Sequence, residues 1–114
     1  MSQAINVAVC QINPTLGSFK TNLEKISSSY LDAIKDGADL VIFPEMSITG
    51  YPPQDLLSNN RFIEKNISSL KDLSKIVTVP CIVGFVDRVD GKNFNAAAIC
   101  QDGKVAFKYH KIHL

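Results

Sequence analysis

The chain has 114 residues, 46% of them hydrophobic and 20% charged, with a formal net charge of +1. That length holds one small domain with a core of its own, and the near-neutral balance excludes a basic nucleic-acid face and an acidic tail. No run approaches the roughly 18 consecutive apolar residues of a membrane-spanning helix, and Met1-Ser2-Gln3-Ala4 lacks the basic and hydrophobic regions of a signal peptide.

Ile5 to Ile12 reads as a first strand. Ile5, Val7 and Val9 share one face, and Ala8, Cys10 and Ile12 share the other. Apolar groups on both faces predict a sheet covered on both sides. Asn13-Pro14 ends it. A helix is predicted from Lys20 to Asp36, with Leu23, Ile26, Tyr30, Ala33 and Ile34 on its apolar face and Lys20, Glu24, Lys25, Ser28, Asp32 and Lys35 on its wet one. Gly37 follows as a C′ glycine.

The second strand is Leu40–Phe43, and the βαβ order makes it parallel to the first. Pro44 stops it and Glu45 follows at once. Gly50 and Pro52-Pro53 forbid simple continuation. Gln54–Leu57 makes one helical turn. A second helix runs from Asn60 to Ile76, with Asn60 as N-cap. Its apolar face is Phe62, Ile63, Ile67, Leu70 and Leu73; Lys65, Ser69 and Lys71 lie outside.

Cys81–Val86 is a third strand, Phe94–Cys100 a fourth made of small residues, and Lys104–Lys111 a fifth. Asp90-Gly91 and Asp102-Gly103 are turn signals between them. The fold class is therefore α/β with a mixed sheet, in the order β-α-β-α-β-β-β. The first half is parallel and the second an antiparallel meander. Two helices on one side would leave the other face of such a sheet bare. The chain stops directly after the last strand, so a fragment, or a face covered by another chain, is expected.

Few residues carry chemistry. Glu45, at the end of a buried strand, is either a solvated strand end or a carboxylate placed for catalysis. Lys111, at the end of the last strand, is either a surface lysine or its partner, one acting as base and the other holding an oxyanion. Simple alternation sets Phe107, Tyr109, Lys111 and His113 on one face, and Lys108, His110 and Ile112 on the other. Cys10, Cys81 and Cys100 sit inside apolar runs and read as buried, inert thiols of a cytoplasmic protein. No CxxC or His/Cys ligand spacing supports a zinc site, and neither histidine has an acidic partner at diagnostic spacing. Walker, GxGxxG and GxSxG patterns are absent from the sequence.

Taken together, Gln11-Ile12-Asn13-Pro14, the stretch Gly37-Ala38-Asp39-Leu40-Val41-Ile42-Phe43-Pro44-Glu45 and the ending Tyr109-His110-Lys111-Ile112-His113-Leu114 resemble the nitrilase, or carbon–nitrogen hydrolase, superfamily. Within it, Ala8 to Gly17 and Thr49-Gly50-Tyr51-Pro52-Pro53-Gln54-Asp55-Leu56-Leu57 are similar to the glutaminase domain of glutamine-dependent NAD synthetases. The resemblance implies a four-layer α-β-β-α sandwich, of which residues 1–114 would be the N-terminal part. It implies a Glu–Lys–Cys triad in which Glu45 is the general base and Lys111 holds the oxyanion, with Tyr51 shaping the substrate pocket. Cys10, Cys81 and Cys100 match no nucleophile position, so the fragment alone is expected to be inactive.

The implied substrate is glutamine, whose ammonia feeds ATP-dependent amidation of deamido-NAD. No cofactor is expected for this domain, and ATP and Mg for the missing synthetase domain. A homo-oligomer is expected of the full-length protein, with no nucleic-acid or membrane partner. The alternatives are another carbon–nitrogen hydrolase, an amidase or nitrilase, and a non-catalytic interaction module.

Overall fold

The computed structural model describes residues 4–52 and 54–114. The readings placed on Met1-Ser2-Gln3 and on Pro53 lie outside the described residues. The elements run β1 (Val7–Val9), α1 (Phe19–Lys35), β2 (Leu40–Ile42), α2 (Gln54–Leu57), α3 (Asn60–Ile76), β3 (Cys81–Val89), β4 (Lys92–Gln101) and β5 (Lys104–His113). They form a five-stranded sheet in sequential order, parallel from β1 to β3 and antiparallel from β3 to β5. The predicted α/β mixed sheet is therefore present, with the single turn α2 where it was expected.

Strand pairing explains the layering, because directly paired residues point to the same face. Ala8, Val41, Cys81, Cys100 and Val105 pair in one row across the sheet. This row faces the helices and joins a core to which α1 gives Ile26, Tyr30 and Ala33 and α3 gives Leu70 and Leu73. The next row is Val9, Ile42, Ile82, Ile99 and Phe107. It points the other way, and its edge members Val9 and Phe107 are 66% and 57% exposed. α1 and α3 pack on one face, and the other face is apolar and bare except around Gly84 and Val86, where the segment after β2 lies on it. Alternation in β1 follows the sequence reading: Ile5, Val7 and Val9 are exposed, while Ala8, Cys10 and Ile12 pack against the core.

The helices form for local reasons. At the end of α1 the Gly37 N–H donates to Ile34 O and the Ala38 N–H to Ala33 O. This pair of bonds is a Schellman closure around the predicted C′ glycine. The N-cap of α3 differs from expectation: Asn59, not Asn60, accepts a hydrogen bond from the Phe62 N–H at 3.1 Å. A cap must sit outside the first helical residue with its oxygen three residues before the donor, and only Asn59 meets that. Ser69, expected on the wet side, is buried. The stripe of α3 facing the protein is wide, because it covers β3 as well as α1.

Asn66 is also buried, with both amide groups used. It donates to Val86 O and its oxygen accepts from the Val86 N–H. The cause is the short β2, which pairs with β3 only at Val41↔Cys81 and Ile42↔Ile82. Further along, the β2-facing edge of β3 has no strand beside it, so a side chain satisfies its backbone.

The first hairpin is tighter than predicted, and the second makes the sharp turn expected at Asp102-Gly103. β3 runs to Val89 and β4 begins at Lys92, so the connection is two residues. Asp90 and Gly91 have φ of 53° and 76°, and Asp102 and Gly103 have 53° and 78°. Positive φ at both central residues marks the turn type whose twist matches flanking strands.

Candidate functional site

The site is built where β2 ends. Phe43 continues the pairing through its N–H to Ile82 O at 2.8 Å. Pro44 then removes the donor needed to go further, and the chain turns through 45–49. That turn lies directly on β3. A Cβ placed on Gly84 would fall 2.5 Å from Met46 N, 2.8 Å from Glu45 Cα and 2.8 Å from Pro44 O. Only a glycine in mid-strand allows this approach. Its signal was visible as a glycine inside an apolar run.

Further bonds hold the turn. The Ser47 hydroxyl donates to Pro44 O, the Gly50 N–H to Met46 O at 2.7 Å, and the Ile48 N–H to Gly84 O at 3.3 Å. The fully buried Asn22 of α1 donates to Ile48 O and Thr15 O and accepts from the Thr15 N–H. Met46, next to Glu45, has φ of 54°. A left-handed non-glycine backbone costs of order 1–3 kcal/mol and persists only where its surroundings enforce it.

Lys111 arrives from the far edge of the sheet. In β5, His110 pairs with Ala96 and Ile112 with Asn95, which leaves Lys111 unpaired in a β-bulge. The bulge overturns the simple alternation expected for this strand. Ile112, not His113, shares the open face with Tyr109, and His113 lies with His110 on the helix-covered face, where both rings pack on Phe94. A second irregularity near Val105 turns that residue into the core while Phe107 stays on the open face. An extra residue reverses the parity of everything beyond it.

The three residues singled out from the sequence come together. Lys111 Nζ lies 3.2 Å from Glu45 Oε1, and the Tyr51 hydroxyl donates to Glu45 Oε2 at 3.3 Å. Asn95 Nδ2 donates to the same Oε2 at 3.4 Å. The Glu45 and Lys111 side chains are 43% and 38% exposed, so the site opens to solvent. The hydrogen bond from Lys111 is the main reason that the Glu45 carboxyl sits below its ordinary pKa, followed by Asn95, the charge of Lys111, and Tyr51. Loss of hydration, then the neighbouring Glu45 charge, push the Tyr51 phenol up.

Asn95 was not singled out from the sequence. Its only signal was a polar residue entering a strand of small apolar ones. It is buried, and its Oδ1 has no hydrogen-bond partner among the described residues. The sequence also concealed the contact of His110 with Asp87, 23 residues away, at 2.8 Å.

The cysteines stand apart. Cys81 and Cys100 are buried in the helix-facing row, and Cys10 packs against that core. Burial pushes the Cys81 thiol up to about 12 and the Cys100 thiol to about 11, and raises Cys10 as well. Among the described residues no group of His, Cys, Asp and Glu has the arrangement of a metal site, and no helix is long and apolar enough to cross a membrane. The arrangement thus supplies an ionised carboxylate from the turn after β2 and an ammonium from the β5 bulge, with a phenol and a carboxamide on the carboxylate's second oxygen.

The chain is similar to known proteins over nearly its whole length. The carbon-nitrogen hydrolase family matches residues 6–114. The glutamine-dependent NAD(+) synthetase of Thermotoga maritima is 37% identical over 113 residues, covering 96% of this chain and 19% of the relative. That of Acinetobacter baylyi is 35% identical, covering 98% and 21%. The chain therefore spans about a fifth of the length of the curated relatives it matches. Among solved structures, the glutamine-dependent NAD+ synthetase of Acinetobacter baumannii superposes with a TM-score of 0.88 at 32% identity, over 96% of this chain and 21% of that one. An amidase from Nesterenkonia sp. gives a TM-score of 0.82 over 96% of this chain and 43% of that one, and at 19% identity the likeness is one of fold. With nearly its whole length matched, the chain belongs to the carbon-nitrogen hydrolase family.

Proposed function

We propose that residues 1–114 are the N-terminal part of a glutamine amidohydrolase domain, in which Glu45 is the general base and Lys111 the oxyanion-holding cation. The observation that carries this reading is the 3.2 Å contact between Lys111 Nζ and Glu45 Oε1, made across 66 residues between the β5 bulge and the turn after β2. The glutamine-dependent NAD synthetases at 35–37% identity supply the substrate class. In this reading the nucleophilic thiol lies outside these residues, since the three cysteines present are held protonated in or against the core. These 114 residues alone are then inactive.

The chemistry follows from the groups present. The carboxylate, ionised at neutral pH, takes the proton of the incoming thiol. The sulfur attacks the glutamine amide carbon, and negative charge develops on the amide oxygen beside the Lys111 ammonium. The proton held by Glu45 then passes to the departing ammonia. Glu45 then takes a proton from water as the water oxygen attacks the thioester carbon; the C–S bond breaks, glutamate leaves, and the thiolate regains the proton from Glu45. Tyr51, on Oε2 of the same carboxylate, borders the space the substrate enters. The ammonia is consumed by ATP-dependent amidation of deamido-NAD. ATP and Mg belong to that synthetase part. The setting is cytoplasmic, in keeping with the three free thiols, and the full-length protein is a homo-oligomer.

Glutamine hydrolysis by the full-length protein tests this. Glu45→Gln should lower kcat by about 10²–10⁴-fold, the usual worth of a positioned base. Lys111→Ala should lower it by about 10²–10³-fold. Wild-type rates in both variants would instead favour a non-catalytic interaction module. Hydrolysis of small aliphatic amides in preference to glutamine would favour an amidase, whose fold the chain shares.

A further inference from the structure

On the face of the sheet opposite the bare one, a second group of polar side chains has no part in the reaction above. Asp87 of β3 is buried, with a side chain only 7% exposed. Its Oδ2 lies 2.8 Å from His110 Nε2, and its Oδ1 accepts from the Arg88 N–H at 3.0 Å and lies 3.8 Å from Lys108 Nζ. A carboxylate only accepts, so the His110 Nε2 carries the proton. The His110 ring also stacks on Phe94, with centroids 4.2 Å apart and planes at 7°. His110 is thus fixed in both direction and plane. It is the residue immediately before the bulged Lys111.

We propose that His110, clamped by Asp87 and Phe94, is a positioning residue for Lys111, holding the β5 bulge from which the ammonium reaches Glu45. This rests on the role given to Lys111 above.

Strand register explains why Lys111 leaves the ladder. Ile112 pairs with Asn95, so an unbulged ladder continued from that pair would set Lys111 opposite Ala96, on the helix-covered face and beside the Asp87 carboxylate. A buried anion there would attract a lysine as readily as a histidine. In the structure that position is taken by His110, whose flat ring fills it against Phe94 and whose N–H satisfies Asp87. Lys111 is thereby displaced into the bulge. The two strands are tied together at adjacent residues of β4: Phe94 holds the His110 ring on one face, and Asn95 touches Glu45 on the other. From the helix-covered face the ammonium would be on the wrong side of the sheet, so the bulge that frees Lys111 from that face decides whether it reaches Glu45. A misplacement of about 1 Å can cost up to about 100-fold in rate.

The test uses the full-length protein and two substitutions. His110→Phe keeps the ring on Phe94 but loses the donor, and His110→Gln keeps a donor toward Asp87. The expected result for His110→Phe is a fall in kcat for glutamine of about tenfold, with KM little changed. His110→Gln should recover most of it. Independently of turnover, reductive methylation read by mass spectrometry should label Lys111 severalfold faster in His110→Phe than in wild type, relative to Lys104. Equal losses in both variants with KM rising, or an unchanged labelling rate at Lys111, would overturn the proposal. A wild-type protein unable to hydrolyse glutamine would sink the reaction assigned above, while the labelling result would still decide the clamp.

Discussion

Glu45 is a carboxylate whose behaviour is set by the groups around it. Lys111 stabilises its charged form, so its folded pKa lies below the unfolded one. Such a group adds stability above the unfolded value, about 4.3 for glutamate, and loses it as pH falls through the folded value. For a general base the same shift places the acid limb of kcat/KM below the ordinary glutamate range. Lys111→Ala should move the Glu45 titration upward, as followed by carbon NMR of its carboxyl. A titration left where it was would mean that the ammonium does not hold Glu45 in solution. The thiols give an opposite case. With Cys81 pushed up to about 12 and Cys100 to about 11 by burial, native protein should leave both almost unlabelled by a thiol reagent at pH 8, and both should react once unfolded. Rapid native labelling of either would contradict their placement in the core.

At the scale of elements, the site depends on two departures from regular strands. One is the turn after β2, seated on Gly84, and the other is the bulge in β5. Gly84→Ala places a methyl against the backbone of Pro44, Glu45 and Met46, at distances real side chains do not occupy. Backbone cannot rotate out of the way as a side chain can, so the turn must move. The expected cost is about 1–3 kcal/mol of stability by denaturant unfolding. Glutamine hydrolysis should fall by a factor larger than any change in the unfolded fraction explains, because Glu45 itself is displaced. Unaltered kcat in Gly84→Ala would show that the turn has slack the structure does not. Glu45 was legible from the sequence because Pro44 marks the end of β2, whereas Lys111, read as the end of the last strand, lies inside β5, which runs on to His113. The bulge was not legible, since nothing in Lys104–His113 marks where an extra residue enters. It follows from what β4 and Asp87 offer across the ladder.

For the whole molecule, the bare sheet face is the dominant feature. The row Val9, Ile42, Ile82, Ile99 and Phe107 crosses all five strands, and Tyr109 and Ile112 extend it, at 60% and 61% exposure. Contiguous apolar surface of that kind is uncommon on a free monomer. The 114-residue polypeptide produced by itself should bind a hydrophobic dye and associate as its concentration rises. Val9→Lys with Phe107→Lys should reduce both effects. A monomer that binds no dye at high concentration would show that this face is not what the strand pairing makes it. Apolar residues on both faces of the strands had already implied covers on both sides, and only one is supplied by α1 and α3.

Elements and their order were determined by the sequence alone, because period, turn residues and caps act over a few neighbouring positions. Thus Asn60–Ile76 has the bounds read from its pattern, and Asp102-Gly103 makes the turn its residues demand. Glu45 and Lys111 could be named in the same way. Their meeting could not, nor could the capture of Val86 by Asn66, the pairing of His110 with Asp87, or the arrival of Asn95 beside Glu45. Each of these joins residues that are distant in the chain, and depends on strand register and on where a short strand stops. Those are properties of the assembled sheet, where one extra residue in β5 decides which side chain faces the helices and which reaches the carboxylate.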